Sequence, residues 1–277
     1  MVRWLAAMVL LQSLAGCTDD TDGDVPEDIG ENANLDDVGV DGAIMGPADW
    51  REIGLGVAYR EENSGPGILI AYGGYTAKQS YVAAWATELV DQKLGAADVG
   101  HVYIVRGPQD PSYAAREIAN SKLRLHLLSL ASDAPIYIVA HSSGAFVAHE
   151  LLGQLLAHGD DDVLGRIAYA DLDGGGSGLS TAIAQRLGAL SFVYARDPGA
   201  GLSQNAGAIR SLGSAYGVTP FEVTVAGTGC SPGAGWCLHD VVITHRPHNP
   251  ATYDLQHDYT DFVGRPVTAE YLTPLIP

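Results

Sequence analysis

The chain has 277 residues and a formal net charge of −18, with 33 Asp and Glu side chains against 15 Lys and Arg. So acidic a chain offers no basic stripe to neutralise phosphates, which excludes nucleic acid as the expected partner. Its length, less an N-terminal leader, suits a single domain with a sizeable core.

The N-terminal segment 1–16 has the pattern of a secretion signal. Arg3 supplies one positive charge, and the apolar run at residues 4–11 is too short to span a membrane. The sequence Leu-Ala-Gly-Cys at residues 14–17 resembles the bacterial lipobox, in which the cysteine becomes the lipidated first residue of the mature protein. The resemblance implies a lipid anchor on Cys17 at the cell envelope, and in a Gram-negative host Thr18 implies the outer membrane. An ordinary signal peptide with a chance cysteine is the alternative.

Residues 17–48 are predicted to be a lipidated cysteine followed by an acidic, disordered tether. Between residues 18 and 48 there are ten Asp or Glu and no Lys or Arg. With almost no large apolar side chains, this segment has nothing to offset the entropy of ordering. The remaining residues, 49–277, form the predicted globular domain.

From residue 49 onward, short apolar runs alternate with helical patterns, which predicts an α/β domain. Strands are expected near 53–60, 67–72, 101–105, 136–140, 166–170, 190–195 and 221–226. Helices are expected near 78–94, 112–129, 144–158, 180–187 and 204–216. The alternation predicts a mostly parallel central sheet with helices on both faces, and the short connections leave little or no room for a cap.

Ser142 stands where a predicted strand turns directly into a helix. The β-branched run at residues 136–140 stops just before it, and a helix-period pattern begins at Gly144. The residues two positions before and after it, Ala140 and Gly144, are small enough for a tight reversal. A serine at such an apex exposes its hydroxyl above the positive end of the helix, which suits a nucleophile.

This A-x-S-x-G pattern resembles the nucleophile elbow of the α/β-hydrolase superfamily, with alanine in place of the first glycine. The resemblance covers nearly all of the predicted domain and implies the α/β-hydrolase fold. It also implies that an acid and then a base follow the serine in the chain, on loops after later strands. A solvated loop serine is the alternative interpretation of the motif.

Two aspartates are candidates for the acid. Asp197 closes the strand near 190–195, where most of the superfamily carries its acid, and is the expected choice. Asp173 follows the preceding strand, as in lipases that resemble the pancreatic enzyme, and stays the second candidate.

The base is expected after the last strand, with His239 as the first choice and His245 as the second. Once Cys17 carries lipid, Cys230 and Cys237 are the pair left in an exported chain, where oxidation is favoured. Their disulfide would stabilise the fold by about 2.5 kcal/mol in the chain-entropy estimate and would hold the segment that delivers His239. The histidine spacing fits no common zinc pattern, so no metal is expected.

An oxyanion hole needs two backbone N–H donors. The elbow supplies the N–H of Ser143, the residue after the nucleophile. The second donor is expected from Gly74 or Tyr75, in the turn after the strand near 67–72, because glycines let a backbone amide approach a substrate oxygen closely. The family often has His-Gly here, whereas this chain has Tyr-Gly, which leaves the choice open.

Together these residues predict a serine hydrolase of the esterase or lipase kind, which cleaves carboxylic esters through an acyl-enzyme without a cofactor. Its expected partners are a small-molecule or lipid ester and the membrane that holds its lipid anchor. Two alternatives stay open: a peptidase or amidase on the same fold, and a catalytically inactive hydrolase fold that serves as an outer-membrane lipoprotein.

Replacing Cys17 by serine is expected to release the protein from membranes, because the lipid would have no sulfur to attach to. Two or more acyl chains anchor a protein stably, since each buried CH₂ contributes about 0.8 kcal/mol. Cell fractionation and immunoblotting of the wild type and of Cys17→Ser measure the effect, with Thr18→Ser as the control that keeps the cysteine. A Cys17→Ser protein that still sediments with membranes would contradict the lipobox assignment.

Overall fold

The structure, a computed structural model, describes residues 50–244 apart from 55, 62–64, 76, 78, 91–98, 108–112, 131–132 and 176–177. The signal segment, Cys17, the acidic tether and His245 lie outside the described residues. The strands are β1 (Arg51–Gly54), β2 (Val57–Glu61), β3 (Gly67–Tyr72), β4 (Val99–Val105), β5 (Ile136–His141), β6 (Ile167–Leu172), β7 (Ala189–Asp197), β8 (Gly201–Leu202) and β9 (Phe221–Thr224). The helices are α1 (Gln79–Leu89), α2 (Tyr113–Ser129), α3 (Gly144–His158), α4 (Asp161–Gly165), α5 (Thr181–Ala184), α6 (Ala206–Tyr216) and α7 (Val241–Thr244), with a 3₁₀ helix at Gly235–Leu238.

The strands form one sheet in the order β1-β2-β4-β3-β5-β6-β7-β8, and β9 also pairs with β7. The pairs from β4 through β3, β5 and β6 to β7 are parallel, as is β7 with β9. The pairs β1–β2, β2–β4 and β7–β8 are antiparallel. Every residue of β3, β5 and β6 is buried, as expected of parallel strands that are covered on both faces. The predicted mostly parallel sheet is confirmed.

Alternate side chains of each central strand pack against opposite layers of helices. In β3, Leu69 and Ala71 belong to the core that includes α1 and α7. Ile68 and Ile70 belong to the core that includes α2, α3 and α6. This two-residue period places helices on both faces of the sheet, as the sequence predicted.

Most predicted elements are present, with ends shifted by a few residues. The bounds of β3 and α3 are those predicted from the sequence, 67–72 and 144–158. The single strand predicted near 53–60 is instead the antiparallel pair β1 and β2, and Gly56 between them has a φ of 76° that helps to reverse the chain. Helices α4 and α7 and strand β8 were not predicted, because such short elements contain too few periods to be recognised.

The links at the carboxyl edge of the sheet are short. In their described residues, the link between β6 and β7 contains the four-residue α5, and the link between β7 and α6 contains the two-residue β8. In these described residues, neither link forms a separate cap over this edge. Across the described part of the chain, no helix combines the length and the apolar character needed to cross a membrane.

Helix α3 begins in close contact with the end of β3. A Cβ atom on Gly144 would lie 2.4 Å from the carbonyl oxygen of Gly73 and 2.8 Å from that of Tyr72. Glycine therefore allows β5 to turn into α3 this close to the neighbouring strand. At the other end, Gly159 has a φ of 75° and its N–H bonds to Leu156 O over 3.1 Å, which closes the last helical turn.

Gly144→Ala is expected to destabilise the fold by about 1–3 kcal/mol, because the new methyl group overlaps two backbone oxygens. Gly153→Ala, on the same helix, is the matched control, since a Cβ there meets nothing within 4 Å. That control should gain about 0.5–1 kcal/mol, because alanine loses less backbone entropy in a helix. Urea unfolding of both variants tests the pair, and a Gly144→Ala protein as stable as the wild type would contradict the close contact.

Candidate active site

Ser142 lies at the apex of a strained turn between β5 and α3. Its φ is 54°, in the left-handed region that residues other than glycine rarely adopt. Its N–H donates to Leu172 O of the neighbouring β6 over 3.1 Å, and its carbonyl oxygen accepts from the Ala145 N–H over 3.0 Å. These bonds fix the apex to the next strand and to the first turn of the helix, so the segment has the strand–turn–helix geometry that the motif predicts.

The turn after β3 lies against this elbow, because Gly144 packs on Gly73. The Gly73 N–H donates to the last carbonyl oxygen of β4 over 3.0 Å, so it is not available to a substrate. A Cβ on Gly107 would lie 1.5 Å from the carbonyl oxygen of Gly74, which shows how closely the next loop covers the turn. The candidates for the second oxyanion donor are therefore the N–H groups of Gly74 and Tyr75, the two named from the sequence.

Ser143 presents two donors at the N-terminus of α3. Its N–H makes no backbone hydrogen bond within the described residues, and its Oγ is buried there without a partner. Its side chain does not cap the helix. A buried donor without a partner costs free energy, and the positive end of the 15-residue helix favours an anion at this point. The position therefore suits a negatively charged oxygen.

His239 and Asp173 are in direct contact. His239 Nδ1 lies 2.5 Å from Asp173 Oδ2, and both residues are buried. Since a carboxylate only accepts hydrogen bonds, Nδ1 carries the proton of the neutral imidazole. Nε2 is then the ring nitrogen that can take up a proton.

Asp173 is held both by the backbone and by the link between β7 and α6. Its φ is 48°. Among the described residues that are not glycine, Ser142 and Asp173 are the two with a positive φ. Ser203 Oγ donates to Asp173 Oδ1 over 2.7 Å, and Asn205 Nδ2 donates to the Asp173 carbonyl oxygen over 2.6 Å. Both carboxylate oxygens are thus engaged, which fixes the orientation of the His239 ring. Backbone strain of this kind concentrates at functional sites.

Asp197, the acid expected from the sequence, lies in a different network. Its Oδ1 accepts from the Gly199 N–H over 2.7 Å, and its Oδ2 accepts from Thr228 N–H and Oγ1 over 3.0 and 2.5 Å. The Thr228 hydroxyl, followed by these two backbone N–H groups, lowers the pKa of Asp197. This placement corrects the expectation: Asp197 ties the end of β7 to the loop before Cys230, whereas Asp173 contacts the histidine.

The segment that carries His239 is anchored by a disulfide. Cys230 and Cys237 are bonded, with their Cα atoms 5.9 Å apart, as the cysteine count predicted. The 3₁₀ helix Gly235–Leu238 leads directly into His239, whose N–H bonds to Trp236 O over 3.1 Å. The imidazole is therefore delivered from a short, cross-linked turn.

The surroundings of His239 favour its protonated form. Burial alone lowers the pKa of an imidazole, but the hydrogen bond and charge of Asp173, with the charge of Asp240, raise the pKa of His239 above its ordinary 6.5. Protonation of His239 therefore stabilises the fold. This contribution is complete below about pH 6.5, the ordinary pKa of histidine, and is lost as the pH rises through the pKa of His239 in the folded state.

Asp171 is fully buried two residues before Asp173. Burial raises the pKa of Asp171 to about 8, and the Asp173 charge adds to this, while the N–H groups of Gly174 and Gly175 oppose it. The carboxyl group is therefore mostly neutral at pH 7. Its Oδ1 accepts from the Gly174 N–H over 2.8 Å, and a Cβ on Gly174 would lie 2.8 Å from Ser142 O. Asp171 thus shapes this loop beside the elbow without a second full negative charge next to Asp173.

His141, His239 and Asp240 form a buried cluster whose candidate ligand atoms lie within 4.8 Å of one another. The two rings lie with their centroids 4.7 Å apart and their planes tilted by 36°. His141 Nε2 lies 3.7 Å from Asp240 Oδ1, so the three side chains contact one another directly.

Four residues around the candidate site were missed by the sequence analysis. Ser203 and Asn205 lie 30 and 32 residues beyond Asp173 in the chain, and no motif links them to it. His141 and Asp240 directly neighbour Ser142 and His239, and that adjacency was a signal that could have drawn attention to them.

No protein-family model matches the chain, and no curated protein matches its sequence. The structure is similar to TT1662 from Thermus thermophilus at 15% identity and a TM-score of 0.38, over 62% of this chain and 84% of that one. It is similar to EstE7, a homologue of hormone-sensitive lipase from a metagenome library, at 13% identity and a TM-score of 0.42, over 64% and 74% of the two chains. A hormone-sensitive lipase from a metagenome library gives 14% identity and a TM-score of 0.41 over the same shares. At TM-scores this low, the likeness says nothing about chemistry.

The chain nevertheless has the α/β-hydrolase fold, as its own strand order and strand pairings show. A mostly parallel sheet carries a strand–turn–helix elbow at Ser142 on β5. Asp173 follows β6 and His239 follows β9, so the carboxylate and the imidazole come after the serine in chain order. The mostly parallel sheet and the strand–turn–helix elbow are what the resemblance implied for the fold.

Asp173→Asn is expected to lower the pKa of His239, whereas Asp197→Asn should leave it unchanged, because Asp173 is the one of the two that faces the ring. Loss of a charge at hydrogen-bond distance lowers such a pKa by about 1–3 units. An NMR titration of the His239 ring, assigned with a His239→Gln variant, measures the shift. A midpoint that moves in Asp197→Asn and not in Asp173→Asn would contradict the observed pairing.

Proposed function

We propose that the chain is a serine hydrolase that cleaves carboxylic esters, with Ser142 as nucleophile, His239 as base and Asp173 as acid. The observation that carries the proposal is the 2.5 Å contact between His239 Nδ1 and Asp173 Oδ2. It orients an imidazole next to the elbow, since the ring of His141, the neighbour of Ser142, lies 4.7 Å from the His239 ring between centroids. A serine, an oriented imidazole and a buried carboxylate are the groups that acyl transfer needs.

In the acylation step, His239 Nε2 takes the proton of Ser142 Oγ as that oxygen attacks the acyl carbon. The tetrahedral intermediate collapses when its bond to the alcohol oxygen breaks, and His239 gives the proton to the leaving oxygen. An alcohol departs and the acyl group stays on Ser142. Asp173 accepts the Nδ1–H bond throughout and stabilises the transient imidazolium.

In the deacylation step, His239 takes a proton from a water molecule that attacks the acyl carbon. Ser142 Oγ then leaves with that proton, and a carboxylic acid is released. One water is consumed for each ester cleaved, and the balance of atoms and electrons requires no cofactor.

The negative oxygen of both intermediates is proposed to lie at the start of α3. The Ser143 N–H is one donor, and its lack of a backbone partner within the described residues supports this role. Gly74 or Tyr75 supplies the other, since the Gly73 N–H is engaged with β4. Removal of one such donor typically costs about 10²–10³-fold in kcat.

The proposed substrates are small, soluble esters. The described links at the carboxyl edge carry no cap, and Tyr75 beside the site is 43% exposed. An open site buries few methylenes of a long acyl chain, each of which would contribute about 0.8 kcal/mol. Outside the described residues, the lipobox-like segment and acidic tether support a location at the cell envelope, with the enzyme held by lipid on Cys17.

Ser142→Ala is expected to abolish hydrolysis of p-nitrophenyl butyrate, by up to about 10⁶-fold in kcat where the three groups act as a unit. It should also abolish covalent labelling by a fluorophosphonate probe, which reacts with an activated serine. The thermal midpoint should fall little, because one hydroxyl contributes little packing. Ser211→Ala, an exposed serine on α6, is the control that should keep both activity and labelling.

Labelling of the wild type at Ser142 without turnover of any ester would point to an amide substrate for the same triad. Wild-type protein that neither labels nor hydrolyses would overturn the proposed function and favour a non-catalytic lipoprotein. Hydrolysis retained in Ser142→Ala would show that another group is the nucleophile.

A further inference from the structure

Two buried side chains at the site have no part in the proposed reaction. His141 is the last residue of β5 and immediately precedes Ser142, and Asp240 immediately follows His239. Their exposed fractions are 0% and 7%. Burying polar and charged groups costs free energy unless they are paired, so the contacts that they make are informative.

His141 contacts the base segment in three ways. Its Nε2 lies 3.4 Å from the carbonyl oxygen of His239 and 3.7 Å from Asp240 Oδ1. Its ring packs against the His239 ring at a centroid distance of 4.7 Å, with the planes tilted by 36°. A single imidazole therefore touches the ring of the base, the backbone of the base and the carboxylate that follows it.

We propose that His141 and Asp240 form a second support for the base, which holds the ring face and backbone of His239 while Asp173 holds its Nδ1. The inference rests on the proposed function of His239. Because His141 is covalently joined to Ser142 and Asp240 to His239, the contact between them ties the nucleophile's strand to the base's segment. Neither residue has a bond that forms or breaks in the proposed reaction, so both are positioning residues.

Asp240 also places a negative charge beside the ring. Among the groups that face His239 in the described part of the chain are Asp173 from the loop after β6, His141 from β5 and Asp240 from its own segment. Burial lowers the pKa of His239, and the charge of Asp240 raises it together with Asp173. The imidazolium formed during the reaction thus meets one carboxylate at Nδ1 and a second beside the ring.

The test compares four proteins: the wild type, Asp240→Asn, Asp240→Glu and Asp197→Asn. Each is assayed with p-nitrophenyl butyrate over a range of pH, because the rising limb of kcat/KM reports the pKa of the base in the free enzyme. Asp240→Asn removes the charge, and Asp240→Glu keeps it. Asp197→Asn is the matched control, a buried aspartate that holds a neighbouring loop and does not contact His239.

In Asp240→Asn we expect the rising limb to move to lower pH by about one unit, because the lost carboxylate no longer favours the imidazolium. The kcat at pH 8 should fall while KM stays within about twofold, since substrate binding does not involve Asp240. Asp240→Glu should restore the position of the limb. Asp197→Asn should lower the thermal midpoint without moving the rising limb of kcat/KM, because Asp197 supports the fold and does not contact His239.

An unmoved limb and an unchanged kcat in a folded Asp240→Asn protein would overturn the inference. If far-UV circular dichroism shows that Asp240→Asn does not fold, His141→Phe decides the question, because it keeps an aromatic ring against His239 and removes the nitrogen contacts. In that variant kcat should fall about tenfold or more at unchanged KM, and a wild-type kcat would overturn the inference. A failure of the proposed function is recognised separately, since the wild-type protein would then neither label with fluorophosphonate nor hydrolyse ester.

Discussion

The contact between His239 and Asp173 is the interaction on which the rest of the site depends. A buried carboxylate is tolerated only where its oxygens are paired, and Asp173 finds its partners on the β7–α6 link, through Ser203, and on the disulfide-anchored turn, through His239. These segments are far apart in the chain and meet because the parallel strands β5, β6 and β7 end at one edge of the sheet. The core on both faces of that sheet therefore also determines the geometry of the imidazole.

The same edge concentrates backbone strain. The non-glycine residues with positive φ in the described part of the chain are Ser142 and Asp173, the proposed nucleophile and the proposed acid. Each such residue costs about 1–3 kcal/mol and persists where its surroundings leave no alternative. Glycines supply that close fit, since a Cβ on Gly174 would lie 2.4 Å from Ala145 Cβ and one on Gly144 would overlap the end of β3. These tight contacts keep the side chains of Ser142 and Asp173 in orientations that an unstrained turn would not give.

The elbow was predictable from sequence because all its determinants are local: a β-branched run, small residues on both sides of the serine, and an immediate helical period. The disulfide followed from counting cysteines. The choice between Asp197 and Asp173 was not predictable in this way, because both follow strands and both precede His239 in the chain. What separates them in the structure is side-chain contact. Asp173 Oδ2 lies 2.5 Å from His239 Nδ1, whereas the carboxylate of Asp197 accepts hydrogen bonds from Gly199 and Thr228. Ser203 and Asn205 could not be found from sequence for the same reason.

Two aspartates and a histidine near the site show how burial and hydrogen bonding shift a pKa in either direction. Asp197, whose pKa is lowered by Thr228 and Gly199, stabilises the fold above its unfolded pKa and loses that effect as the pH falls. Asp171, whose pKa burial raises from 3.8 to about 8, acts in the opposite direction, since its neutral form is favoured in the fold and stability declines as the pH rises through that range. His239 adds to the same trend, because its raised pKa also favours the fold at low pH. The proposed reaction, however, needs a neutral His239. The proposed reaction is therefore favoured by a rise in pH that weakens the stabilisation from Asp171 and His239, whereas the apolar core on both faces of the sheet stabilises the fold independently of these groups.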